Sequence, residues 1–174
     1  MPEPQIRFVR PNEAEVLAEL GRQTYIDHFA DLWADVYASP YLTTHFDPAT
    51  LRTQLAADGP TYYLWLLAED VPQGFAKLNR RSTLPTDPTT VGLELEKIYF
   101  LKTATGRGYG SALMSEIIAQ ARRWAEPFVW LDVLKTKEAG RRMYERVGFA
   151  VVGELPFSTD KLNVGMWMMR KEAG

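Results

Sequence analysis

No cysteine occurs in this chain of 174 residues, and histidine appears only twice, at His28 and His45. The first absence excludes a disulfide scaffold, a thiolate nucleophile and cysteine-held zinc or iron–sulfur centres. The second makes a histidine metal site or a Ser–His–Asp triad hard to assemble, so no metal is expected. An excess of one charge is also lacking: 20 Lys and Arg face 22 Asp and Glu, a formal net charge of -2. A dedicated nucleic-acid binder would carry a basic face and a basic balance. No apolar run approaches the roughly 20 residues that cross a bilayer, and the opening residues lack the apolar stretch of a secretory signal. These absences describe a cytoplasmic protein that acts away from membranes and nucleic acid. The length suits one domain over residues 1–174, large enough to bury a core without cross-links.

What is present begins with periodicity. A short apolar segment at Ile6–Val9 is followed by a helical pattern through Val16, Leu17 and Leu20, with Asn12 as its candidate cap. From Tyr25 to Phe46 aromatics and Asp alternate without a clean period, which reads as helix ends and an irregular connection. Asp47 and Pro48 open a further short helix as N-cap and first residue. Strands are expected at Thr61–Glu69, Phe75–Leu78 and Gly92–Phe100, with a proline- and threonine-rich loop at Arg80–Thr90 between the last two. The clearest helix covers 108–125, with Leu113, Ile117, Ala121 and Trp124 on one stripe. A strand at Phe128–Leu134, a helix at Lys137–Val147 closed by Gly148, and strands at Phe149–Leu155 and Asn163–Arg170 complete the order. A hairpin run followed by alternating strands and helices argues for an α/β (α+β) fold with a mixed sheet covered by helices.

The most informative stretch is the turn between the strand ending at Phe100 and the long helix. Gly106, Gly108 and Gly110 occupy alternate positions at that helix start. Such a turn exposes unpaired backbone N–H groups at the positive end of the helix dipole, a receptor for phosphate oxygens. A dinucleotide fingerprint needs a third glycine where Ser111 stands, and a P-loop needs a Gly-Lys pair that is absent. The turn can also be a helix start with no ligand.

Thr105-Gly106-Arg107-Gly108-Tyr109-Gly110 resembles the acetyl-CoA loop of the Gcn5-related N-acetyltransferase (GNAT) superfamily, with Thr105 where Gln or Arg is usual. Downstream, Lys137 through Phe149 is similar to a second GNAT segment; Tyr144, Gly148 and Phe149 match, while Lys137 and Gly140 replace Asn and Ala. Within the family, Glu94–Lys102 and the aromatic N-terminal region look most like bacterial polyamine (spermidine/spermine-type) acetyltransferases. The resemblance implies a mostly antiparallel sheet of about seven strands flanked by helices, splayed between the strands at 92–100 and 128–134. It implies acetyl-CoA as co-substrate, held by Thr105, Gly106, Arg107, Gly108, Tyr109, Gly110, Ser111 and Lys137. Main-chain contacts from Ile98 and Phe100 to the pantetheine arm are implied as well.

The chemistry this implies is direct transfer of an acetyl group to an amine, which attacks only as the free base although alkyl amines have pKa values near 10. Glu94 and Glu96, two apart on one strand and so on one face by alternation, are the candidate bases. The alternative for both is a solvated sheet face. Tyr144 is the candidate acid to the departing thiolate; periodicity alone makes it a core aromatic beside Met143 and Val147. Asp27 and Asp31, with Asp35 at the same helical spacing and Trp33 nearby, suit binding of a cationic amine or form a solvated acidic face. The expected partner is a small-molecule amine, a polyamine among the candidates, and a homodimer is left open. Competing readings are a non-catalytic acyl-CoA sensor, a protein or peptide N-acetyltransferase, and a nucleotide-binding module on the same turn.

Overall fold

The computed structural model describes residues 3–174. Its strands and helices are β1 (Gln5–Phe8), α1 (Ala14–Phe29), α2 (Pro40–His45), α3 (Pro48–Ala56), β2 (Thr61–Ala68), β3 (Val71–Leu84) and β4 (Asp87–Phe100). They continue with α4 (Tyr109–Arg123), β5 (Phe128–Leu134), α5 (Glu138–Val147), β6 (Ala150–Leu155) and β7 (Met166–Glu172). One seven-stranded sheet forms in the order β1-β2-β3-β4-β5-β7-β6. Every neighbouring pair is antiparallel except β4 and β5. The expected mixed, mostly antiparallel sheet with flanking helices is the observed one.

Side-chain alternation divides the core between the two faces of this sheet. On one face α4 buries Leu113, Ile117 and Ala121 against Leu64, Leu78, Leu93, Leu95 and Leu131, which explains its apolar stripe. On the other, α1 and the two short helices bury Leu17, Tyr25, Leu42 and Leu51 against Trp65 and Phe75. The third helix starts as its sequence suggests: the Asp47 carboxylate accepts the Thr50 N–H at 2.9 Å, and Pro48 follows.

Local expectations fail in three places. Asn12 does not cap α1; residues Pro11–Glu13 form a 3-10 turn, and Glu13 accepts the Arg10 N–H and the Arg7 guanidinium instead. The first helix runs through Phe29, and α2 then occupies Pro40–His45 within the supposedly irregular stretch. Most consequentially, Arg80–Thr90 is not a loop. β3 continues to Leu84 and β4 begins at Asp87, with Ser82 opposite Gly92 and Thr83 opposite Val91. Tertiary packing outweighs the two prolines: Leu84 is buried with Phe128, Trp130 and Met168, and Trp130 Nε1 donates to the Ser82 carbonyl at 3.2 Å.

Candidate active site

A one-residue irregularity in β4 organises the site. Lys97 pairs with Lys77 and Leu95 with Leu78, so Glu96 is an extra residue with no partner on β3, a β-bulge. Ahead of it Leu93 and Leu95 face α4; behind it Ile98 and Phe100 do. Glu94 already faces α1 and α2 by alternation, and the bulge resets that alternation so that Lys97 and Tyr99 turn toward the same side. Without the bulge, Lys97 would follow Leu95 into the apolar core. Glu94 and Glu96 share the opposite face by simple alternation with Leu93 and Leu95, and each accepts from Asn79 Nδ2 at 3.0 Å.

The environments of these two carboxylates differ. Glu96 Oε2 accepts from Lys77 Nζ at 2.9 Å and from Lys97 Nζ, with His45 Nδ1 3.9 Å away. Burial alone would raise the Glu96 pKa; the Lys97 and Lys77 charges reverse that and hold it at about 2. Glu94 has no cation on it. Ser82 Oγ and Asn79 Nδ2 donate to its Oε1, and burial raises its pKa above the ordinary carboxylate range. Burial also lowers Lys97 to about 8, against the pull of Glu96. His45, whose Nδ1 is 3.0 Å from Lys97 Nζ, falls to about 4 through burial and that neighbouring cation.

Past the bulge the sheet opens. β4 and β5 pair only at Leu93–Val129 and Glu94–Trp130, and then diverge. The opening leads into a cavity of about 530 Å³. Tyr25, Phe29, Tyr41 and Tyr99 wall one part, Glu94, Glu96, Lys97 and Asp132 lie along the opening, and Thr105, Lys137, Gly140 and Tyr144 line another part. Tyr41 stacks on Tyr25 at 4.1 Å between centroids, and its hydroxyl meets that of Tyr99 at 3.3 Å.

The glycine turn caps α4 at the cavity end bearing Thr105. Gly106 and Gly108 both have φ of +76°, a left-handed conformation that costs other residues about 1–2 kcal/mol. Gly108 is the N-cap and offers no side chain, so the first N–H groups of α4 point outward unbonded by a cap. A Cβ at Gly106, Gly108 or Gly110 would meet nothing within 4 Å. The left-handed backbone therefore accounts for Gly106 and Gly108, and the space in front of all three glycines is an open cradle.

The sequence pattern of the acetyltransferase (GNAT) family matches residues 26–149. The chain belongs to that family. A curated relative, an uncharacterized N-acetyltransferase in the pepI 3' region of Lactobacillus delbrueckii subsp. lactis, is 23% identical over 154 residues, 87% of this chain and 88% of the relative. Among solved structures, the PaiA N-acetyltransferase of Thermoplasma acidophilum in complex with coenzyme A superposes with a TM-score of 0.78. It has 18% identity and covers 98% of this chain and 99% of its own. YncA from Salmonella typhimurium, with its cofactor acetyl-CoA, gives a TM-score of 0.72 at 18% identity, covering 99% and 95%. At these identities the two structures establish a shared fold.

Within this GNAT chain, seven of the residues singled out from sequence meet at the cavity, while Gly106, Arg107, Gly108, Tyr109, Gly110 and Ser111 lie outside its lining. Glu94, Glu96, Ile98, Phe100, Thr105, Lys137 and Tyr144 all line it. Tyr144 stands edge-on to Phe149 at 5.9 Å, and burial pushes its hydroxyl up to about 12. Tyr109 turns its ring into the α4 core, so only its backbone faces the cradle beside exposed Arg107 and Ser111. Lys137 Nζ donates to the His28 carbonyl at 2.9 Å, and His28 Nε2 donates to the Phe100 carbonyl at 2.7 Å, clipping the end of α1 over β4.

Asp27, Asp31 and Trp33 do not line the cavity. The helix whose period aligned the aspartates ends at Phe29; Asp31 falls in a 3-10 turn and Asp35 caps the next one. Asp27 accepts from Gln23 on α1 at 2.7 Å, and Trp33 Nε1 donates to the Tyr25 hydroxyl at 2.9 Å. Residues that sequence reasoning passed over take their place: Asp132, Lys97, His45 and Tyr41. Asp132 did leave a signal, as the one charged residue in the strand Phe128–Leu134. Among the described residues, no group of three or more His, Cys, Asp or Glu is arranged to hold a metal, and no helix is long and apolar enough to cross a membrane.

Proposed function

We propose that the protein transfers the acetyl group of acetyl-CoA directly to the primary amine of a small cationic molecule, polyamines included. The observation that carries this reading is the continuity of one cavity from Thr105 and Tyr144 to Glu94 and the aromatic wall. Cofactor and acceptor can thereby meet at the β4–β5 opening from opposite faces of the sheet. The cradle before α4 fits a pyrophosphate, and the edge of β4 that β5 leaves free past Glu94 can take a pantetheine arm as an added strand.

In this mechanism Glu94 is the base. It faces the cavity without a cation on it, and its raised pKa brings it nearer the value a neutral-pH base needs. It takes one proton from the ammonium, directly or through a water. The freed nitrogen forms the new C–N bond as the C–S bond breaks, and it sheds its second proton to water as it becomes the amide, which balances the proton the thiolate later takes from water. Glu96, neutralised by Lys77 and Lys97, is too weak a base and instead holds the bulge in shape. Tyr144 donates a hydrogen bond to the leaving sulfur. With its pKa at about 12, against about 8.5 for a thiol, its proton stays largely on the phenol, and the thiolate is protonated afterwards from water.

Turnover is measured with acetyl-CoA over a panel of spermidine, 1,4-diaminobutane, n-butylamine and a short peptide bearing a free amino terminus. Acetylation of the small amines in preference to the peptide is expected. Consumption of acetyl-CoA with the peptide alone would reverse the acceptor class, and acetyl-CoA binding with no turnover would leave a sensor. Tyr144→Phe is expected to lower kcat about 10- to 100-fold with unchanged acetyl-CoA affinity, the thiolate being a fair leaving group unaided. Isothermal titration and initial rates separate the two quantities. Gly110→Ala removes a glycine from the first turn of α4 without a clash, so thermal stability is expected to hold or rise. Its methyl would enter the cradle, and acetyl-CoA affinity is expected to fall about tenfold.

A further inference from the structure

Asp132 has no assigned task in the mechanism above, yet its surroundings are unlike those of any other carboxylate at the opening. Along β5, Val129, Leu131 and Val133 belong to the α4 side of the core, while Phe128 and Trp130 pack on the opposite face. Asp132 shares that second face by alternation, as Glu94 does on β4 between Leu93 and Leu95. It lies just past the last β4–β5 pair, Glu94–Trp130, so the two carboxylates flank the opening from different strands.

Their partners differ. Glu94 accepts from Asn79 and Ser82, and Glu96 from Lys77, Lys97 and Asn79. Asp132 Oδ1 is sealed from solvent with no hydrogen-bond partner, and no cation among the described residues forms an ion pair with it. Burial, with the Glu94 charge adding to it, raises its pKa to about 6. A buried acceptor left unpaired is a standing cost to the fold, and a cavity-lining position is where a ligand's donor can remove that cost. Aromatic faces at Tyr25, Phe29 and Tyr41 border the same cavity and suit a cation.

We propose that Asp132 binds the acceptor: its carboxylate pairs with the positively charged nitrogen of the amine and holds it across the β4–β5 opening from Glu94. This assignment rests on the acetyl-transfer reading and adds a division of labour to it. Asp132 holds the ammonium, Glu94 removes its proton, and the nitrogen then attacks.

The test is Asp132→Asn, isosteric and uncharged, assayed with the panel amine that the unsubstituted protein acetylates fastest. Hydroxylamine, uncharged at neutral pH, serves as the comparison nucleophile. The KM for the charged amine is expected to rise about 10- to 100-fold, the scale for losing a buried charged partner. The kcat, the rate with hydroxylamine and the acetyl-CoA affinity are expected to stay within about threefold, and Tm to hold or increase because an unpaired buried charge is gone. A KM within about threefold of the parent, or equal losses with both nucleophiles, overturns the assignment of Asp132 alone. A fall in Tm with loss of acetyl-CoA binding also overturns it, by making Asp132 structural. If the unsubstituted protein acetylates no amine, the acetyl-transfer reading fails and this assignment with it. Asp132→Glu, which keeps the charge, is expected to recover part of the affinity for the amine.

Discussion

Glu94→Gln is expected to lower kcat about 10²- to 10⁴-fold, the range of a lost general base. The substitution is close to isosteric, and its amide oxygen can still accept from Asn79 and Ser82 as the carboxylate Oε1 does at 3.0 and 2.9 Å. Structure and cofactor affinity are therefore expected to survive. What disappears is the group that takes the proton from an ammonium whose pKa is near 10. Because burial raises the Glu94 pKa, the parent's kcat/KM is expected to fall on the acid side as Glu94 is protonated, and that limb is expected to vanish in the variant. Initial rates across pH, with acetyl-CoA titrated calorimetrically, measure both. A kcat within about threefold of the parent would remove Glu94 from the chemistry.

The neighbouring Glu96→Gln is expected to damage the fold instead. Glu96 Oε2 is shared by Lys77 and Lys97, whose side chains are 10% and 2% exposed. Removing one member of a buried ion cluster leaves uncompensated charge and costs about 3–5 kcal/mol. At this chain length, about 3 kcal/mol corresponds to a Tm lower by roughly 6–12 °C. Calorimetric unfolding decides it, and a Tm within about 2 °C of the parent would show that the cluster contributes little.

The pH dependence of stability separates the members of this cluster. The folded-state pKa of Glu96 is depressed from 4.5 to about 2, so its stabilisation is complete above pH 4.5 and is lost as pH falls toward about 2. The His45 pKa is depressed from 6.5 to about 4, so its loss comes earlier, between those values. Glu96→Gln is expected to abolish the lower step. The upper step stays tied to His45, shifted by the loss of the nearby carboxylate.

Local chemistry carried much of this protein into view. The turn at Gly106–Gly110 was legible because its requirements are local: two left-handed residues, a helix start without a side-chain cap, and no atom of the chain needing the space. The long helix was legible because its stripe at Leu113, Ile117 and Ala121 is set by its own period. Tyr144, a core aromatic by periodicity alone, stands out only through the family resemblance, and it lines the cavity. The aspartates at 27, 31 and 35 misled because a helical period has meaning only while the helix lasts, and α1 ends at Phe29. Arg80–Thr90 misled because proline content marks local cost, whereas Leu84 and Trp130 supply a distant gain.

By itself the sequence determined the strand–helix order, the glycine turn before the long helix and two glutamates on the strand that leads to it. Only the tertiary structure decided which glutamate is free. The direction of a side chain along β4 depends on pairing with β3, where one extra residue at Glu96 changes the parity of everything after it. The charge state of each carboxylate depends on groups far along the chain: Lys77 and Asn79 from β3, and His45, 52 positions from Lys97. Asp132 joins the site because β5 lies parallel beside β4 for two residue pairs and then parts from it. Register and divergence are properties of strands brought together by the whole core, and no window of local sequence contains them.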